Sequence, residues 1–118
     1  MTDQATEHDL TPQSAADLKD AQFVDVRTPA EYETSRIEGS RHLTLDELQA
    51  RADELDRDRP VVFYCRSGER SQMAVDAFRA SGWDAYALAG GLLAWHEQGL
   101  PLEPEGAEVA QHSSIPSR

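Results

Sequence analysis

Cysteine is almost absent from this sequence, since Cys65 is the only one in 118 residues. A single cysteine cannot close a disulfide within the chain, which excludes the small secreted domains that disulfides hold together. Long apolar runs are missing too, and the amino-terminal stretch is polar and acidic, without the apolar segment of a signal peptide. We therefore expect a cytoplasmic protein whose one thiol is either structural or reactive.

Positive charge is also scarce. The chain has 11 lysine and arginine residues against 22 aspartate and glutamate residues, which gives a net charge of -11. Such a chain repels nucleic acid and acidic membrane surfaces, so we predict neither as a partner. The four histidines show no metal-ligand spacing, and we expect no metal and no cofactor. Arg66 and Arg70 stand close together beside Cys65, where an anionic small molecule can still be attracted.

The length of 118 residues suits one domain with one core and is too short for two. Residues 1–9 and 103–118 lack apolar periodicity and are rich in polar residues, so we predict that both segments are flexible tails. The domain itself is predicted to span residues 10–102.

Short apolar strands alternate with helices between these tails. The segment Val61–Tyr64 is apolar throughout, as expected of a central parallel strand that is covered on both faces. This alternation predicts an α/β sandwich with a mainly parallel sheet. The other predicted strands are Phe23–Val26, His42–Leu43 and Ala85–Leu88.

The same capping pattern predicts two helices. Thr28-Pro29-Ala30-Glu31 places threonine at the N-cap and glutamate three residues later, and it predicts a helix over Pro29–Ser35. Thr44 and Glu47 repeat the spacing and predict a second, amphipathic helix. Weaker signals predict helices that begin after Thr11 and after the cysteine, the latter ending near Gly82.

Cys65 lies directly after the central strand and just before a helix. Ligands bind at this end of parallel strands, because the loops converge there and the next helix presents unpaired amide donors. Amide groups, Arg66 and Arg70 favour a thiolate, Gly68 permits a tight loop, and Ser71 adds a hydroxyl donor. A buried structural thiol is the alternative, but such a thiol has no need of two arginines and a glycine. We therefore interpret Cys65 as a nucleophile.

The segment Cys65-Arg66-Ser67-Gly68-Glu69-Arg70-Ser71 resembles the active-site loop of the rhodanese family of sulfurtransferases. Two further segments, Asp25 to Ser40 and Gly90 to Pro101, resemble the signatures that precede and follow this loop in the family. The resemblance implies a rhodanese-like three-layer α/β/α sandwich with a catalytic Cys65. It also implies that the rest of the loop binds the substrate anion, namely Arg66, Ser67, Gly68, Glu69, Arg70 and Ser71.

The chemistry implied by the resemblance is sulfur transfer without a cofactor. Sulfur from a small anionic donor such as thiosulfate forms a persulfide on Cys65, and an acceptor such as cyanide, a thiol or a protein thiol removes it. Four residues separate Cys65 from Arg70, whereas five are typical of the related phosphatases. One departure is Ser35-Arg36, where many relatives have Gly-His, and Arg36 is expected to affect only contacts at the rim of the site.

Other interpretations stay open at this point. Asp25 and Arg27 are candidates for a supporting role, although a structural ion pair beneath the loop is the interpretation we favour. Two alternatives to a sulfurtransferase remain. The first is a non-catalytic module that binds a protein partner or carries sulfur, and the second, which has less support, is a phosphatase or arsenate reductase.

Overall fold

Five short strands form one parallel sheet in the computed structural model, which describes residues 8–104. The spatial order is β1-β6-β5-β2-β4, so the strand that precedes Cys65 lies at the centre. A separate antiparallel pair joins β3 to β7. The strands are β1 Asp9–Leu10, β2 Gln22–Asp25, β3 Arg36–Ile37, β4 Arg41–His42, β5 Val61–Tyr64, β6 Ala85–Leu88 and β7 Leu102–Glu103.

Helices cover both faces of this sheet. The α-helices are α1 Pro12–Asp17, α2 Pro29–Thr34, α3 Leu48–Arg51, α4 Glu69–Ala80 and α5 Gly91–Glu97. Apolar residues of α3 and α4 belong to the core on one face, and those of α1 and α5 belong to the core on the other. The three-layer α/β/α sandwich with a parallel central sheet is therefore confirmed.

The central strand β5 supplies side chains to both cores. Val61 and Phe63 point into the core beneath α4, and Val62 and Tyr64 point into the core beneath α5. All four are fully buried, because successive side chains of a strand lie on opposite faces and both faces are covered. Cys65 continues the alternation on the α4 side, which fixes the direction of its side chain.

The threonine cap of α2 works as its spacing predicts. In α2, the Thr28 hydroxyl accepts a hydrogen bond from the Glu31 amide, and the Glu31 carboxylate accepts one from the Thr28 amide. After Thr44, the Glu47 carboxylate accepts a hydrogen bond from the Thr44 amide, whereas the Thr44 hydroxyl donates to Asp46. This segment forms two short 3-10 turns, Leu45–Glu47 and Ala52–Glu54, on either side of α3. One continuous helix was the expectation for this second segment.

Differences from the predicted elements are mostly small. Strands β5 and β6 have the predicted bounds, and β2 and β4 each begin one residue earlier than predicted. The prediction missed β1, β3 and β7, because two-residue strands carry too little pattern to identify. Of the predicted tails, Asp9 pairs with β6 and Glu103 pairs with β3, whereas residues 1–7 and 105–118 lie outside the described part of the chain.

None of the helices within residues 8–104 is both long enough and apolar enough to cross a bilayer.

Candidate active site

Cys65 begins the loop that joins β5 to α4, at the carboxyl edge of the sheet. The residue is 1% exposed, so its sulfur lies at the bottom of the loop rather than on the surface. The Gly68 amide donates to the sulfur over 3.0 Å, and the thiol points toward the Ser71 hydroxyl at 3.8 Å. The chain therefore turns back over its own cysteine and presents an amide donor to the atom that would react.

Gly68 makes this turn possible. Its φ of 125° belongs to the region that side chains disfavour, and the residue is also the N-cap of α4. Ser71, fully buried in the first turn of α4, donates its hydroxyl hydrogen to the Gly68 carbonyl over 2.9 Å. The backbone of Gly68 is therefore held on both sides: its amide bonds to the Cys65 sulfur, and its carbonyl bonds to the Ser71 hydroxyl.

The start of α5 supports the loop from the other side. The amides of Leu92 and Leu93 donate to the carbonyls of Cys65 and Arg66 over 2.8 and 3.1 Å. Gly91 has a φ of 62°, and a Cβ atom there would lie only 2.6 Å from the Cys65 carbonyl oxygen. Glycine is therefore required at this position, because the two backbones approach each other directly.

Arg70 points toward helix α2. Its guanidinium donates to both carboxylate oxygens of Glu31, over 3.1 and 3.3 Å. Arg70 is also close enough for its charge to interact with Cys65. The same carboxylate caps α2 through Thr28, so one side chain links the cysteine loop to the start of a helix 39 residues away in sequence.

The Glu31 carboxylate stays ionised because of these contacts. Partial burial alone would raise its pKa, but the hydrogen bonds from Arg70 and from the Thr28 amide outweigh burial and lower the pKa to about 2. The positive charge of Arg70 is therefore matched by a full negative charge at neutral pH.

A second ion pair lies beneath the loop and is buried. Arg27 and Asp25 are 3% and 0% exposed, and the guanidinium contacts both carboxylate oxygens, the shortest contact being 2.6 Å. Burial opposes the charge on Arg27, but its hydrogen bond with Asp25 raises the pKa of the guanidinium above the ordinary value. Arg27 also donates to the Ser35 carbonyl, and it lies over the ring of Tyr64. Asp25 and Arg27 therefore pair with each other beneath the loop, and a structural role for this pair stays a prediction.

Carboxylates also stand at the rim of the loop. Glu69 accepts a hydrogen bond of 2.7 Å from the Ser67 hydroxyl, and this bond, together with the nearby charges of Arg70 and Arg66, lowers the pKa of Glu69. A cleft of about 250 Å³ beside the loop is lined by Ser67, Gly68, Glu69 and, across from them, Asp9. Within residues 8–104, no three potential metal ligands cluster together.

Of the predicted loop residues, Gly68 and Ser71 contact the Cys65 sulfur. Ser67 and Glu69 bond to each other at the rim, and Arg70 points toward Glu31. Asp25 and Arg27 lie beneath the loop and pair with each other. The sequence reasoning placed Glu31 in a helix cap and in the segment that resembles the family's amino-terminal signature. It missed the contact of Glu31 with Arg70, which no local pattern indicates. It also missed the support that α5 gives to the loop.

Arg36 lies away from the sulfur, in β3. Its guanidinium lies over the ring of Tyr32 at 4.9 Å, and it pairs with Glu103 of β7 at 3.4 Å. The residue that departs from the resemblance therefore joins the small antiparallel sheet to α2.

Comparison with known proteins agrees with this geometry. The rhodanese-like domain family matches residues 11–98. This range includes the whole cysteine loop and every strand of the parallel sheet except β1. The chain belongs to the rhodanese-like family. A family member from Allochromatium vinosum, named sulfurtransferase, is 41% identical over 96 residues, which cover 80% of this chain and 90% of that protein.

Two further relatives extend the comparison. The thiosulfate sulfurtransferase GlpE of Vibrio cholerae is 30% identical over 92 residues, covering 77% of this chain and 87% of that protein. The crystal structure of a rhodanese-related protein from Thermoplasma volcanium superposes with a TM-score of 0.77 at 27% identity, covering 83% of this chain and 99% of that one. The rhodanese-like fold therefore accounts for nearly the whole described part of the chain.

Proposed function

We propose that this protein is a sulfurtransferase that carries sulfane sulfur as a persulfide on Cys65. The sulfur comes from a donor such as thiosulfate, and it passes to a nucleophilic acceptor such as cyanide, a small thiol or the thiol of a protein partner. The observation that carries the proposal is the 3.0 Å hydrogen bond from the Gly68 amide to the Cys65 sulfur, inside a loop fixed by Ser71 and α5.

The geometry suits a small reacting group. Because Cys65 is almost fully buried, a reacting atom must be slender enough to enter the turn, as a terminal sulfur is. The Gly68 amide at the Cys65 sulfur also lies where negative charge returns when Cys65 is released as a thiolate. Relatives named sulfurtransferase at 30 to 41% identity support the same reaction class.

The reaction divides into two balanced steps. The Cys65 thiolate attacks the outer sulfur of thiosulfate, a sulfur–sulfur bond forms, and sulfite leaves with the electron pair of the bond that breaks. In the second step the acceptor attacks the outer sulfur of the persulfide, and Cys65 leaves as the thiolate. The described loop provides one cysteine and the chain has no other, so any thiol that resolves the persulfide belongs to a second molecule. A free thiol of this kind fits a reducing compartment such as the cytoplasm.

The proposal is tested by loading and discharging the sulfur. Reduced protein and a Cys65→Ser control are incubated with thiosulfate or with polysulfide, freed of small molecules and measured by intact mass. We expect the mass of one added sulfur on the native chain alone, and its release as thiocyanate on addition of cyanide. If neither donor loads Cys65, the protein is not a sulfurtransferase, and a non-catalytic binding module becomes the better interpretation.

A further inference from the structure

We infer that Glu31 determines which sulfur donors the site accepts, by neutralising Arg70 and so favouring donors of low negative charge, such as persulfides, over the thiosulfate dianion. The inference rests on the proposed function and concerns the donor class of the same site. Glu31 acts through Arg70 and is therefore a positioning residue.

The first argument is the balance of charge around the sulfur. The cysteine loop contains two cations, Arg66 and Arg70, and one anion, Glu69. Glu31 reaches the loop from α2 and pairs with Arg70 through both of its oxygens. With Glu31 included, these side-chain charges sum to zero, so the net positive charge that the two arginines bring to the loop is neutralised.

The state of Glu31 makes this cancellation permanent at neutral pH. Its pKa of about 2 means that the carboxylate stays charged throughout the physiological range. Thr28 holds the same carboxylate through its amide, at 3.0 Å, so Glu31 cannot turn away to release Arg70 without uncapping α2. An anion that arrives at the loop therefore meets a guanidinium that already has a partner.

The second argument is the charge of the reaction itself. A thiolate that attacks thiosulfate forms a complex with three negative charges, and sulfite leaves as a dianion. A thiolate that attacks a protonated persulfide forms a complex with one negative charge. Its outer sulfur and proton move to Cys65, and the donor thiolate leaves with the bonding pair. A neutral loop in a chain of net charge -11 opposes the first reaction more strongly than the second.

The test compares two donors on three proteins. The loading rate of Cys65 is measured by intact mass with thiosulfate and with cysteine persulfide, for the native chain, Glu31→Gln and Glu54→Gln. Glu54 is a matched control, since it is another glutamate paired with arginine, Arg51 at 2.8 Å, in a segment away from the loop. Circular dichroism at the assay temperature establishes that each variant is folded.

We expect the native chain to load faster from cysteine persulfide than from thiosulfate. Glu31→Gln should raise the thiosulfate rate about five- to tenfold, as expected for one unit charge removed a few ångströms from the reacting atoms, and change the persulfide rate less than about twofold. Glu54→Gln should change neither rate. A merely structural role of Glu31 would alter both rates by the same factor, and that result would overturn the inference.

A second measurement needs no variant. Added salt screens charge, so it should raise the thiosulfate loading rate of the native chain if the site and its surroundings repel the dianion. A thiosulfate rate that falls with salt would mean a net positive site, and it would contradict the inference. Absence of loading from either donor would instead overturn the proposed function, and this inference with it.

Discussion

Two ion pairs flank the cysteine loop, and they differ in almost every physical respect. Asp25 and Arg27 lie beneath it, almost wholly buried and two residues apart in sequence. Glu31 and Arg70 lie at its edge, about one third exposed and 39 residues apart. The first pair is isolated from solvent, whereas the second faces the solvent through which substrates arrive.

The difference assigns the two pairs different roles. Removing one partner of a buried pair leaves an uncompensated charge in the core. The intact first pair is therefore needed for the stability of the fold. A partly exposed pair is screened by solvent and contributes less to stability, and its charges act on molecules that approach the loop. Four predictions test this division, and we take them in order of the size of the expected effect on stability.

Arg27→Met should have the largest effect. The methionine keeps much of the buried volume but leaves Asp25 without its guanidinium partner, which costs about 3–5 kcal/mol of the free energy of unfolding. Urea unfolding of the native chain and the variant measures this loss. The double variant Asp25→Asn with Arg27→Met should recover part of it, because no charge then remains buried. If the double variant loses as much stability as Asp25→Asn and Arg27→Met lose in sum when each is made alone, the two charges do not act as a pair.

The sequence predicted the buried ion pair of Asp25 and Arg27, and it missed the partly exposed pair of Glu31 and Arg70. Asp25 is the last residue of β2 and Arg27 lies two residues further on, so their pairing could be inferred from local order. The contact of Glu31 with Arg70 depends on how α2 packs beside the cysteine loop, and the capping motif explained Glu31 without it. Likewise, the alternation of strands and helices predicted the parallel sheet, but the antiparallel pair β3–β7 depends on contacts between two-residue segments.

Glu31→Gln should be the next most destabilising change, by about 1–2 kcal/mol, since it weakens both a helix cap and a screened ion pair. Thermal or urea unfolding at neutral pH gives this value. Thr28→Ala is the matched control: it removes the hydroxyl of the cap but keeps the carboxylate that faces Arg70. An equal loss in both variants would mean that the cap alone accounts for the stability and that the ion pair adds nothing measurable.

The pH dependence of this loss should identify the carboxylate as its source. The pKa of Glu31 lies at about 2 in the folded chain and at 4.5 ordinarily, so its stabilising contribution is complete above pH 4.5 and disappears as the pH falls toward 2. The native chain and Glu31→Gln should therefore differ less in the free energy of unfolding at about pH 3 than at about pH 7. A difference that stays constant with pH would show that the charge of Glu31 does not stabilise the fold.

The smallest effect is expected from Glu47→Gln, although Thr44 and Glu47 repeat the capping box of Thr28 and Glu31. Glu47 also pairs with an arginine, Arg51 at 3.0 Å, but the pair is on the surface and within one helical turn. Solvent screens such a pair, so its loss should shift the unfolding midpoint less than Glu31→Gln does. If Glu31→Gln and Glu47→Gln are equally destabilised, the tertiary contact of Glu31 with Arg70 adds no stability beyond that of the local capping motif.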